Sequence, residues 1–123
     1  MIWLGVVLAG GVGAVLRFLV DRAVGRRAAR SLPFAGMPLG TLAVNISGAA
    51  LLGLLGGLAL SRYAALLAGT AFVGSYTTFS TWMLETQRLS EERQVRNAVA
   101  NIVVSIVLGI GAALFGQWIA GGL

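Results

Sequence analysis

Four apolar stretches, each close to the length of a bilayer crossing and separated by clusters of arginine, leave this chain one environment to fold in. They run from about residue 2 to 20, 38 to 60, 64 to 84 and 97 to 119. At a rise of about 1.5 Å per residue, a helix of about 20 residues crosses a hydrocarbon core of about 30 Å. Lipid tails offer no hydrogen-bond partners, so each crossing segment must bond its own backbone, as a helix does. The predicted fold is an all-α membrane protein, one four-helix transmembrane domain over residues 1–123, multi-pass in the cell (inner) membrane. Composition points the same way. Only 11% of residues are charged and mean hydropathy is +0.90, whereas a soluble domain carries about a quarter charged residues.

Absences narrow the chemistry. There is no cysteine, which removes disulfides, thiolate chemistry and cysteine metal sites. There is no histidine, the usual general base and commonest metal ligand. The 18 glycines predict close packing between helices. Nothing basic precedes the first apolar run and no small-residue cleavage site follows it, so no signal peptide is expected.

The net charge of +5 is carried by arginine alone. These arginines flank apolar segments, which reads as membrane-flanking charge rather than a nucleic-acid surface. Arg22, Arg26, Arg27 and Arg30 occupy the first connection, which also holds Pro33 and has room for a short interfacial helix. Ser61-Arg62-Tyr63 reads as a tight hairpin. The third connection, Glu85 to Arg96, mixes both signs, and Glu92 and Arg96 are spaced as a helical pair. Trp3, Tyr63 and Trp118 fall at predicted interfaces, where aromatic belts form. Arg88, Arg93 and Arg96 lie on the same side as the first four, against Arg62 alone on the other. That bias puts the arginine-rich loops in the cytoplasm, both termini outside, and the chain in a single orientation.

The third stretch contains Gly74-Ser75-Tyr76-Thr77-Thr78-Phe79-Ser80-Thr81-Trp82. A glycine and a run of hydroxyls at mid-membrane predict a helix break flanked by Gly74 and Thr77, and freed carbonyls there can hold a cation. Phe79 and Trp82 share a helical face. Their rings either pack or turn a positive edge toward an anion. Ser80 and Thr81 add hydroxyl donors. On the second stretch Asn45 is either interhelical glue or an N–H donor to a dehydrated anion. Thr41, one turn earlier, favours a polar track. Ala49, Gly53 and Gly57 form a small-residue stripe. On the fourth stretch Asn101, Ser105 and Gly109 share a face, and Ser105, Gly109 and Ala113 read equally as a packing stripe. Arg17 either snorkels to the interface or marks a pore mouth that draws anions. Gly11-Val12-Gly13 fails the dinucleotide spacing because Leu16 stands at the third glycine position, so close helix approach is its expected role.

No carboxylate lies inside a span, and Glu85 sits at an end. A proton-coupled cation exporter needs a buried acid, which disfavours a small multidrug-type transporter of similar size. Neutral amides, hydroxyls and one arginine suit an anion whose hydration shell must be replaced. These residues do not distinguish fluoride from chloride, and a non-conducting partner subunit of a channel pair stays open.

Three motifs together give the chain its resemblance to the bacterial fluoride channel family, Fluc or CrcB. They are Gly10-Gly11-x-Gly13-Ala14-x-x-Arg17, Gly40-Thr41-Leu42-x-Val44-Asn45-x-x-Gly48 and Gly74-x-x-Thr77-Thr78-Phe79-Ser80-Thr81. The resemblance covers nearly the whole chain. It implies a passive, fluoride-selective channel, not an enzyme, that exports fluoride from the cytoplasm. It also implies a third helix broken near the bilayer centre and an antiparallel dimer with two pores. A structural sodium ion would lie between the backbone carbonyls of Gly74 and Thr77 of both subunits. The implied pore residues are Asn45, Phe79, Trp82, Ser80, Thr81 and Ser105, with Arg17 in the vestibule. Trp82 stands where the family has a second phenylalanine, Asn101 where it has a tyrosine, and Gly109 where it has a polar residue. The expected second subunit is an identical chain or, given the arginine bias, an oppositely inserted homologue.

Overall fold

The computed structural model describes residues 2–31 and 38–122, without the side chains of residues 29–31. Pro33 and most of the first connection lie outside the described residues. The described elements are helical throughout: α1 (Ile2–Ser31), α2 (Leu39–Gly57), α3 (Arg62–Ala65), a π-helical segment (Leu66–Val73), α4 (Gly74–Tyr76), α5 (Ser80–Glu91) and α6 (Val95–Gly121). Three helices are long and apolar enough to cross a bilayer, within Ile2–Ala28, Leu39–Gly57 and Val95–Gly121.

The 30 residues of α1 span about 45 Å. The helix runs straight through the arginine cluster, where a separate interfacial helix was expected. Residues 21–30 contain no proline and are rich in alanine and arginine, both strong helix formers. Pro38 precedes α2, and the tandem Gly56-Gly57 ends it. The turn that follows occupies Leu58–Ser61, earlier than the hairpin read from the sequence. Arg62 and Tyr63 are already helical because the Ser61 hydroxyl caps α3, accepting from the Ala64 N–H at 3.2 Å.

The third stretch is a succession of short pieces from Arg62 to Glu91 and not one continuous helix. After α5 the chain reverses through Glu92–Gln94, with Arg93 at a φ of 61°. Glu92 and Arg96 therefore belong to different elements, and the helical pairing expected of them does not form. Glu92 instead accepts from the Gln94 amide at 3.4 Å.

The broadest contact is between α2 and α6. It is close because Gly53 has no side chain: any Cβ there would strike the Ala113 carbonyl. The expected stripe on α2 thus packs, with Ala113 as its counterpart. α1 lies against α2, the π-segment and α4. Burial is inverted relative to a soluble domain. Thr41 and Asn101 are among the most enclosed side chains, while Trp3, Val7 and Trp118 are each more than two-thirds exposed. Apolar outer faces on membrane-length helices mark a multi-pass membrane protein.

Candidate functional site

Helix α4 stops at Tyr76, and Thr77 adopts extended geometry at φ −82°, ψ 161°. Two side chains compete for the backbone there. The Thr77 hydroxyl donates back to the Val73 carbonyl at 3.0 Å. From α2, Asn45 takes both main-chain groups of Thr78: Oδ1 accepts its N–H and Nδ2 donates to its carbonyl, each at 2.8 Å. The Thr78 hydroxyl then starts α5 by accepting from the Thr81 N–H at 3.2 Å. Gly48 lets α2 approach this point, since a Cβ there would collide with the Thr77 methyl group. Ser47, beside it, bonds the buried Tyr76 hydroxyl at 2.9 Å.

These exchanges leave carbonyls over. In a continuous helix Gly74 would accept from the Thr78 N–H and Thr77 from the Thr81 N–H. Both donors are used by side chains, and neither carbonyl receives a backbone bond among the described residues. Gly74 is exposed, with open space beside it.

Two cavities meet at Thr78. One of about 300 Å³ is lined by Asn45, Thr77, Phe79, Trp82, Ser105 and Gly109. The other, about 180 Å³, is lined by Arg17, Asp21, Thr41, Val44 and Thr81. Thr78 lines both. Phe79 and Trp82 meet edge to face, with ring centroids 5.7 Å apart and planes at 81°. Ser80 lines neither cavity. It is exposed at the start of α5, with its hydroxyl 3.5 Å from that of Thr78. The face read on α6 divides: Ser105 and Gly109 reach the larger cavity, while Asn101 is buried against α5.

One residue that sequence reasoning set aside belongs to this neighbourhood. Glu85 lies just past the third apolar stretch, and one carboxylate oxygen and the Thr41 hydroxyl are both buried without completing a hydrogen bond. Burial raises the Glu85 pKa, and Asp21 adds to the rise, while the nearby Thr41 hydroxyl and Arg88 oppose it. The absence of carboxylates inside the spans therefore does not mean that none is drawn in at the rim. Asp21 lies against Gly40 in the first turn of α2, where the helix's positive end favours an anion. The signal for this cluster was the polar Thr41 one turn from the helix start.

The chain was compared with known proteins. The family described as CrcB-like protein, Camphor Resistance (CrcB) matches residues 4–117. The chain belongs to the CrcB family. Relatives of this CrcB chain include the protein named fluoride-specific ion channel FluC 2 of Mycobacterium tuberculosis, 71% identical over 119 residues, covering 97% of this chain and 90% of that protein. The FluC 2 of Mycolicibacterium paratuberculosis is 75% identical over 119 residues, with 97% and 93% covered. The FluC 1 of Leifsonia xyli is 42% identical over 126 residues, with 98% and 88% covered. The CrcB family is one of ion channels and not of enzymes.

In this CrcB chain Asn45 is both things the sequence left open. It ties two elements together, and it stands on a cavity wall. One N–H of Nδ2 is committed to Thr78, and the other makes no bond among the described residues. The indole N–H of Trp82 is not free for a ligand, because it donates to the Asn101 carbonyl at 3.3 Å.

Proposed function

We propose that this chain forms a fluoride-selective channel that lets fluoride leave the cytoplasm passively across the inner membrane. The observation that carries the reading is the meeting of two cavities at Thr78. Amide, hydroxyl and aromatic-edge groups line one, and an arginine opens the other. Neutral donors of this kind replace the water of a small anion without trapping it as a fixed charge would. The names printed for the relatives agree with this reading. On it, Asn45, Phe79, Trp82, Thr81, Ser105 and Thr41 serve the pore, Arg17 the vestibule, and Ser80 the pore once a second subunit covers it.

The backbone argues for that second subunit. Exposed carbonyls at a helix break within a membrane-crossing stretch must not face acyl chains. A second chain packed against Gly74 would cover them. Two chains together would present the Gly74 and Thr77 carbonyls of each to one structural sodium ion, which carbonyl oxygens suit. Among the described residues no three acidic side chains converge on a metal position, so backbone oxygen is the donor set available.

Fluoride efflux from liposomes holding only the purified chain tests the proposal, with chloride as control. Rapid fluoride efflux without chloride efflux or a proton gradient is the expected result. Arginine placement favours a second reading, a subunit that conducts only beside an oppositely inserted homologue. In that case the isolated chain passes nothing, and terminal tags report one face of the membrane only.

A further inference from the structure

We propose that Asn101 and Thr86 are positioning residues that hold the Trp82 ring against the wall of the larger cavity, so that Trp82 offers ring carbons and not its N–H to a permeating ion. The proposal rests on the channel reading above for its functional half, but its geometry stands by itself. Three hydrogen bonds form a closed circuit between α5 and α6. Trp82 Nε1 donates to the Asn101 carbonyl at 3.3 Å, Asn101 Nδ2 donates to the Thr86 hydroxyl at 2.9 Å, and that hydroxyl donates to the Trp82 carbonyl at 2.8 Å. The indole bond is the longest of the three, near the end of the useful range, so the two shorter bonds hold it in place.

Asn101 is 1% exposed. A carboxamide that deep is costly unless bonded. Its partner Thr86 lies one turn beyond Trp82 on the same helix, and its hydroxyl both donates and accepts. The circuit therefore fixes the spacing of α5 and α6 at the level where Trp82 enters the cavity. Trp82 has two side-chain torsions. With its nitrogen tethered to α6, the ring cannot swing into the space shared with Asn45 and Ser105. Phe79, edge-on at 5.7 Å, is seated against that fixed ring. Bulk at this station is thus compatible with an open cavity because the bulk is tied back.

Two readouts on the full chain test this. The first is the indole N–H resonance of Trp82 in ¹⁵N-labelled protein, assigned by its loss in Trp82→Phe. Asn101→Leu and the near-isosteric Thr86→Val should each move that resonance and leave those of Trp3 and Trp118 in place. The second is fluoride efflux from liposomes. Each variant should slow it roughly tenfold, the effect of one lost buried hydrogen bond. Added to Trp82→Phe, the same changes should cost less than about twofold, as coupled residues do. An unmoved Trp82 resonance in both variants overturns the positioning role, and so does an equal slowing in the Trp82→Phe background. If the unsubstituted chain passes no fluoride, the channel reading fails while the resonance still decides the geometry.

Discussion

Asn45 and Thr78, 33 positions apart in the chain, exchange two hydrogen bonds of 2.8 Å, one in each direction. One carboxamide thereby replaces two turns' worth of backbone bonding and holds the chain extended where a helix would otherwise continue. The bonds that α4 and α5 fail to make with each other are made with α2.

Asn45→Leu removes both bonds and strands a main-chain N–H and carbonyl. Side-chain hydrogen bonds in membrane proteins are worth about 0.6 to 2 kcal/mol each, so a loss of about 1–4 kcal/mol is expected, with fluoride efflux abolished. Reversible unfolding in mixed detergent micelles measures the first quantity. A variant as stable as the parent would show that the break holds without its clamp.

Exchanging sodium for a bulky organic cation should weaken the proposed dimer and stop efflux, because four carbonyls would be left facing one another unneutralised. Size-exclusion chromatography in detergent and liposome flux both report on this. Efflux that continues undiminished in sodium-free buffer on both sides would remove the ion from the account.

Phe79→Ile keeps bulk but deletes a ring whose edge carries positive charge. Efflux should fall by roughly tenfold, the scale of an aromatic contact of about 1.5 kcal/mol, with stability little changed because Phe79 is 69% exposed in the single chain. An efflux rate equal to the parent's would reduce Phe79 to packing.

Glu85 gives a pH signature. Burial holds its carboxyl above the ordinary 4.5, so the folded chain keeps its proton where the unfolded chain has lost it. Stability is then greatest below that ordinary value and declines as pH rises through the raised one. Glu85→Gln should flatten the decline and exceed the parent in stability at neutral pH. Thermal unfolding from acid to neutral pH makes the comparison, and parallel profiles for the two proteins would contradict it.

What could be read without coordinates was governed by what lipid forbids. Apolar length located α1, α2 and α6, and the hydroxyl run from Thr77 to Thr81 marked where regular helix gives out. The ends of elements were less legible. α1 continues past Asp21 because nothing in the arginine cluster opposes a helix, whereas charge density suggested a loop. Glu92 and Arg96 had the spacing of a helical pair, but the left-handed backbone at Arg93 puts a turn between them. At the site, Asn45 was identified as polar and enclosed, yet its partner is the main chain of Thr78, which no side-chain pattern advertises. Glu85 was passed over because its position along the chain looked like an exit from the membrane. Only the packing of Thr41 and Asp21 around it makes it half-buried.

The π-helical stretch Leu66–Val73 lies between the Ser61 cap and the point that Asn45 grips. A wide coil of this type arises when a helix accommodates a surplus residue. Deleting one residue from it would restore ordinary winding and rotate everything downstream by about 100°. Thr78 would then point away from Asn45. Length in this segment is accordingly a fixed inheritance: side chains there can be exchanged, but their number cannot.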